Sequence, residues 1–133
     1  MKSLALAVKI AVFAFLSLAL IPEQAYSQDP VEVDSDHYTV IFENEQVRVL
    51  RIRYGPSEKS VMHFHPNAVI IFLEDAEGQF TLPDGTVIDS SGKSGDVIWG
   101  PAGKHLPENM SDTEEIYVIA VELKNHDGEN DNE

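Results

Sequence analysis

Residues 47–54 read VRVLRIRY, and this stretch decides the fold class. Apolar and charged side chains alternate along it. One face carries Val47 and Val49, and the other carries Arg48, Leu50, Ile52 and Tyr54. A period of two residues is typical of a half-buried β-strand, so the stretch predicts a strand with an apolar face turned inward.

The same kind of short apolar run recurs on both sides of this strand. The further candidate strands are residues 38–43, 60–65, 69–74, 79–82, 86–90, 97–99 and 115–123. Turn signals such as Gly55-Pro56 and Pro83-Asp84-Gly85 separate them. Roughly eight or nine short strands at this spacing, without an amphipathic helix, predict an all-β sandwich or closed barrel. The jelly roll is one such architecture.

The two ends of the chain differ from this core. Lys2 and Lys9 precede an apolar run over residues 10–20, and Ala25 and Ser27 lie before a possible cut at Gln28. This pattern predicts that residues 1–27 are a signal peptide and that the protein is periplasmic or secreted. The alternative is a membrane anchor, although the run is shorter than the about 20 residues of a membrane span. Residues 28–37 are interpreted as a linker or edge segment, 38–124 as the domain, and 125–133 as an acidic disordered tail.

Composition narrows the classes of function. A chain of 133 residues is enough for one domain. It contains no cysteine, which excludes disulfides, thiolate metal sites and a cysteine nucleophile. Its net charge of −14 argues against nucleic acid and against anionic membrane surfaces as partners. We therefore expect no nucleic-acid partner, and no membrane contact once the signal peptide is removed; the charge does not identify a ligand.

Two histidines stand one residue apart in residues 61–66, VMHFHP. On a strand, His63 and His65 point to the same face and can reach one metal ion. Imidazole is a good ligand for Zn, Cu, Fe and Ni. Taken alone, the pair is more typical of two histidines on a solvated strand face. We interpret His37 and His126, in polar segments, as solvated.

Two longer motifs give the pair a context. Gly55, His63-Phe64-His65 and Gly78 resemble the first cupin motif, and the run from Gly95 through Pro101, Gly103 and His105 to Asn109 resembles the second. The chain is similar to small cupins of the quercetin-dioxygenase-like group, including cupins linked to β-alanine degradation. The resemblance implies a jelly-roll barrel or double-sheet sandwich. It also implies that His63, His65 and His105 converge on one divalent metal ion, which could be Fe, Mn, Ni or Zn.

The chain departs from the cupin pattern in two places. Val69 and Ile70 stand where the motif has a glutamate ligand, and Glu74 lies too far along to replace it. Only Lys104 separates Gly103 from His105, where the pattern has two residues. Three neutral imidazoles would leave the metal its full charge and favour an anionic ligand. A metal-free cupin whose histidines line a ligand pocket is the alternative.

The resemblance implies a metal-dependent, dioxygenase-like oxidation of a small organic molecule. The alternative is a non-catalytic module that binds a small ligand or a metal, and a weaker third reading is an isomerase or lyase. The sequence identifies no general base and no catalytic residue. Phe64 and the apolar residues 38–42 favour a homodimer formed through sheet faces or edges.

Smaller roles are also predicted for individual residues. Asn109 is expected to make a structural hydrogen bond near a turn, and Gln79 either to support the site or to lie exposed. Positive φ angles are expected at Gly55, Gly78, Gly95 and Gly103. The predicted core includes Ile71, Leu73, Phe80, Ile98 and Trp99, of which one or two could wall a pocket.

Overall fold

The computed structural model describes residues 28–124, which form one short helix and nine strands. The elements are α1 (Pro30–Val33), β1 (Tyr38–Glu43), β2 (Val47–Tyr54), β3 (His63–His65), β4 (Ala68–Phe72), β5 (Gly78–Thr81), β6 (Val87–Asp89), β7 (Val97–Gly100), β8 (Gly103–Asn109) and β9 (Ile116–Leu123). Within this range no helix is long and apolar enough to cross a membrane. The proposed signal peptide and acidic tail lie outside the described residues, so both stay predictions.

The strands form two antiparallel sheets. One has five strands in the order β1-β2-β9-β4-β7, and the other has four in the order β3-β8-β5-β6. Chain neighbours such as β3 and β4 lie in different sheets, so the chain crosses repeatedly between the layers. This confirms the all-β, jelly-roll prediction.

Strand β2 turns an apolar face inward, as its alternation predicted. Leu50, Ile52 and Tyr54 are buried, whereas Arg51 and Arg53 between them are exposed. The strand pairs with β9 along its whole length, from Val47 opposite Leu123 to Tyr54 opposite Ile116. Burying a side chain of the size of Leu50 contributes about 1.5–3 kcal/mol.

The core prediction was wrong for three residues. Leu73, Ile98 and Trp99 are 40%, 47% and 55% exposed, while Ile71 and Phe80 are half-buried. Leu73 follows the end of β4, and β7 is an edge strand of the five-stranded sheet with a neighbour on one side alone. Side chains on an edge strand have fewer neighbours to cover them, whatever their hydrophobicity.

The turn predictions were confirmed in part. Asn109 is buried, and its amide nitrogen donates to the carbonyls of Gly55 at 2.9 Å and Glu114 at 2.8 Å, which ties β8 to two loops. Gly95 has a φ of +88°, a left-handed conformation that favours glycine. Gly55, Gly78 and Gly103 do not adopt positive φ, so their prediction was wrong.

Residues 28–37, expected to be a linker or edge segment, contain helix α1. The Asp29 side chain caps this helix by accepting from the Val31 backbone N–H at 2.9 Å, and Pro30 is buried. The Phe64 backbone N–H donates to the Gln28 carbonyl at 3.0 Å. The segment is therefore packed against β3, the strand that carries the histidine pair.

Candidate metal centre

The register of β3 and β8 brings the three predicted histidines together. His63 lies directly opposite His105, and His65 lies opposite Gly103. Side chains of directly opposed residues stand on the same sheet face with neighbouring Cβ atoms. One ring nitrogen from each of the three histidines lies within 4.8 Å of those of the other two. His105 is thus placed by a strand, and the one-residue-shorter turn before it does not displace it.

The backbone and a carboxylate fix the outward nitrogens of His63 and His65. His63 Nδ1 is 2.8 Å from the Val61 carbonyl oxygen, which can only accept. His65 Nδ1 is 2.6 Å from Glu122 Oε1. Both Nδ1 atoms therefore carry the hydrogen, and in the neutral rings both Nε2 atoms carry a lone pair.

Those two lone pairs face each other. His63 Nε2 and His65 Nε2 are 3.0 Å apart, and His63 is fully buried. Two lone pairs at this distance repel unless a cation or a proton lies between them. A metal held at about 2.1 Å from two nitrogens at a right angle would separate them by about 3.0 Å. The donor set therefore fits a metal ion.

Glu122 is the carboxylate that holds His65 in this orientation. Its second oxygen accepts from Arg48 Nε at 2.6 Å, and Arg48 Nη1 donates to Asp29 Oδ2 at 2.5 Å. Burial alone would raise the pKa of Glu122, but the hydrogen bonds from His65 and Arg48 outweigh it and hold that pKa below its usual value. An ionised carboxylate on the outer nitrogen fixes the tautomer of a ligand imidazole and increases its basicity.

The third imidazole is held by an aromatic stack. The rings of His105 and Phe80 are parallel to within 24°, with centroids 4.0 Å apart. Burial, together with the nearby His65, lowers the pKa of His105 to about 3 and that of His63 to about 4. Both rings are therefore neutral near pH 7, the form that binds a metal.

A cavity of about 470 Å³ opens onto the histidine cluster. His65 and His105 are in its lining, and its walls are mainly aliphatic and aromatic side chains from both sheets. The apolar wall residues include Ile70, Phe72, Phe80, Ile98, Trp99 and Val118. The charged side chains in the lining, apart from the histidines, are Asp89, Lys104 and Glu108. A cavity of this size and character fits a small, largely apolar organic molecule.

At the two positions where the cupin pattern has a glutamate ligand, this chain has no carboxylate. Val69 and Ile70 lie on β4, and Ile70 is part of the apolar cavity wall. Glu74 is exposed beyond the end of β4, and no Asp or Glu of residues 28–124 joins the three histidines as a candidate ligand. Gln79 donates to Glu108 at 3.3 Å.

The interpretation of His37 as a solvated residue was wrong. Its Nδ1 is 2.7 Å from Asp34, its Nε2 is 3.0 Å from Glu58, and its ring stacks on Tyr54 at 4.4 Å between centroids. Asp34 also accepts a hydrogen bond from Ser60, three residues before His63. His37 therefore helps to fasten the N-terminal segment beside the histidine strand.

The sequence analysis did not identify Glu122 or Tyr38 as site residues, although the pattern of strand β9 could have indicated Glu122. Glu122 shares the inward face of β9 with Val118 and Ala120, at intervals of two residues. A charged residue on a buried face needs a partner, and Arg48 on the inward face of β2 was available as one. Tyr38 is buried beside His63, and its aromatic character alone did not distinguish it from a core residue.

Comparison with known proteins agrees with this architecture. A cupin domain from Bordetella pertussis is similar, with a TM-score of 0.60 and 28% identity over 66% of this chain and 92% of that one. The protein has the cupin fold. An RmlC-like cupin family protein with a double-stranded β-helix fold from Methanocaldococcus jannaschii has a TM-score of 0.51 and 16% identity, covering 65% of this chain and 77% of its own.

A second kind of neighbour with the cupin fold is an enzyme. The polyketide cyclase RemF from Streptomyces resistomycificus has a TM-score of 0.51 and 18% identity over 65% of this chain and 63% of that one. At this identity the likeness shows the fold alone. No protein-family model and no curated protein matches the sequence.

Proposed function

We propose that this protein binds one divalent metal ion through His63, His65 and His105, and uses it to oxidise a small, largely apolar organic molecule with dioxygen. The observation that carries the metal site is the pair of Nε2 lone pairs, 3.0 Å apart beside the third imidazole. Similarity of the two motifs to quercetin-dioxygenase-like cupins supports the choice of oxidation. A redox-active metal such as Fe or Mn would bind and activate dioxygen, the oxidant.

The chain itself supplies binding and exclusion of water. The apolar walls of the cavity would desolvate the organic molecule and hold it against the two imidazoles that line the cavity, His65 and His105. Phe80 would serve twice, because it stacks on His105 and also lines the cavity. With few polar groups in the wall, selectivity would come mainly from shape and from the charged residues Lys104, Asp89 and Glu108.

Metal analysis of three proteins tests the site. Wild-type protein stripped with a chelator should take up one Ni(II) per chain in a calorimetric titration. His105→Ala should weaken binding at least about 100-fold, since partners that only orient a ligand are already worth about 10- to 100-fold. Glu74→Gln is the matched control and should bind as the wild type does, because Glu74 is exposed and outside the cluster. Loss of binding in Glu74→Gln with retention in His105→Ala would overturn the site.

A non-catalytic binding module is the second candidate. It is favoured by the lack, among residues 28–124, of an Asp or Glu that completes the three histidines as a fourth metal ligand. An oxygen electrode separates the two. Fe(II)-loaded protein that consumes dioxygen with quercetin as the probe supports the oxidation, whereas binding of the probe without dioxygen uptake supports the module.

A further inference from the structure

A tyrosine hydroxyl lies against His63, one of the three histidines, and has no role in the proposed site. Tyr38, the first residue of β1, places its hydroxyl 3.0 Å from His63 Nε2. Its ring meets the His63 ring edge-on, with centroids 4.9 Å apart, and the residue is 2% exposed. Because His63 Nδ1 donates to Val61, it is the Nε2 lone pair that faces this hydroxyl.

The distances around His63 match those between neighbouring ligands of one ion. His65 Nε2 and the Tyr38 hydroxyl each lie 3.0 Å from His63 Nε2. Nitrogen and oxygen ligands at about 2.1 Å from a metal, at right angles to each other, are about 3.0 Å apart. The phenol oxygen thus lies beside His63 Nε2 at the separation expected of a neighbouring ligand of an ion bound by that nitrogen.

Tyr38 also offers an oxygen donor where the glutamate ligand of the cupin pattern is missing. The glutamate of the cupin pattern is replaced by Val69 and Ile70, whose side chains have no donor atom, and no carboxylate of residues 28–124 takes its place. We propose that the Tyr38 oxygen is the fourth protein ligand, supplied by the opposite sheet in place of that glutamate. This inference rests on the proposed function, since it requires that the histidines hold a metal.

Two consequences distinguish this ligand set from three imidazoles alone. A coordinated phenolate would add one negative charge, its proton passing to solvent, so the site would no longer favour an anionic ligand over a neutral one. Tyr54 would then be a positioning residue. Its hydroxyl lies 2.5 Å from that of Tyr38 and can donate to the phenolate, while its ring is stacked on His37.

Cu(II) is a probe that reports the ligand directly. A phenolate bound to Cu(II) gives a visible charge-transfer absorption and enhanced tyrosinate ring modes in resonance Raman spectra, and histidine ligands give neither. The chain has no cysteine whose thiolate could give a competing band. Full-length wild type, Tyr38→Phe and Tyr54→Phe would be compared after stripping and loading with one Cu(II). Tyr54→Phe is the comparison variant, because it removes the hydroxyl that would donate to the phenolate from an equally buried ring and leaves the Tyr38 oxygen in place.

We expect the tyrosinate signature in the wild type, its loss in Tyr38→Phe, and its retention with a shifted band in Tyr54→Phe. Affinity for Cu(II) should fall at least about tenfold in Tyr38→Phe. A wild type that binds one Cu(II) without the signature overturns the role of Tyr38 and leaves the histidine site standing. A wild type that binds no Cu(II) overturns both proposals. Because the first of these outcomes is read on the wild type, it holds even if Tyr38→Phe does not fold.

Discussion

Replacing Glu122 by glutamine tests how the protein directs the His65 lone pair. The carboxylate accepts two bonds of 2.6 Å, from His65 Nδ1 and Arg48 Nε, whereas glutamine offers one accepting oxygen and one donating NH2 group. Arg48 can only donate, so the glutamine oxygen should turn to it and the NH2 group to His65. His65 then relieves the conflict by moving its hydrogen from Nδ1 to Nε2, where it points at the metal position.

The magnitudes follow from these bonds. One bond to a charged group is worth about 1.5–3 kcal/mol, which sets the expected loss in the free energy of unfolding of Glu122→Gln. Metal affinity should fall about 10- to 100-fold, or about 1.4–2.8 kcal/mol, because the ion must displace the Nε2 hydrogen. Nitrogen NMR of the metal-free variant should show the Nε2–H tautomer of His65, and the wild type should show the Nδ1–H tautomer.

Nickel titration of the stripped proteins measures the effect on binding. Glu115→Gln is the matched control, since Glu115 also accepts from an arginine at 2.6 Å but makes this bond at the surface, with Arg53. It should bind Ni(II) as the wild type does. If Glu122→Gln also binds with wild-type affinity while keeping its fold, the tautomer reasoning is refuted.

Two further predictions concern pH and assembly. Burial lowers the pKa values of His63 and His105 in the folded protein to about 4 and about 3, below the ordinary histidine value of 6.5, so the unfolded chain binds more protons as pH falls below 6.5. Chelator-treated protein should therefore lose stability from pH 6.5 down to about 4, by up to about 1.4 kcal/mol per pH unit for each histidine. Urea unfolding at several pH values checks this, and a flat profile between pH 6.5 and 5 would contradict it. We also predict a homodimer, because Ile41 and Phe42 on the edge strand β1 are 49% and 54% exposed. Light scattering at micromolar concentration should give twice the monomer mass. A monomer mass would count against the prediction.

The sequence predicted what depends on local periodicity. Alternation in residues 47–54 correctly placed Leu50, Ile52 and Tyr54 inward. The His-x-His spacing correctly placed two imidazoles on one face. These results follow from the geometry of a single strand, which is set by a period of two residues whatever the strand's neighbours are.

What the sequence did not reveal depends on which strands are neighbours. Ile98 and Trp99 are as hydrophobic as core residues, but β7 lies at a sheet edge, and strand order is not encoded in local pattern. Glu122 meets His65 from the other sheet, 57 residues away in the chain. Tyr38 meets His63 in the same way, across the barrel. Such pairs are set by tertiary packing and loop paths, for which a single sequence has no short-range signal.

The strand pair β3 and β8 holds the imidazoles, whereas most of the cavity wall belongs to other strands. The three imidazoles are fixed by one short antiparallel ladder. The cavity walls come largely from other elements, such as β4 with Ile70 and β7 with Ile98 and Trp99. Substitutions in those walls can therefore reshape what the cavity accepts while the ladder keeps the imidazoles in place. A new ligand preference could be selected, in nature or in the laboratory, without rebuilding the metal-binding part of the molecule.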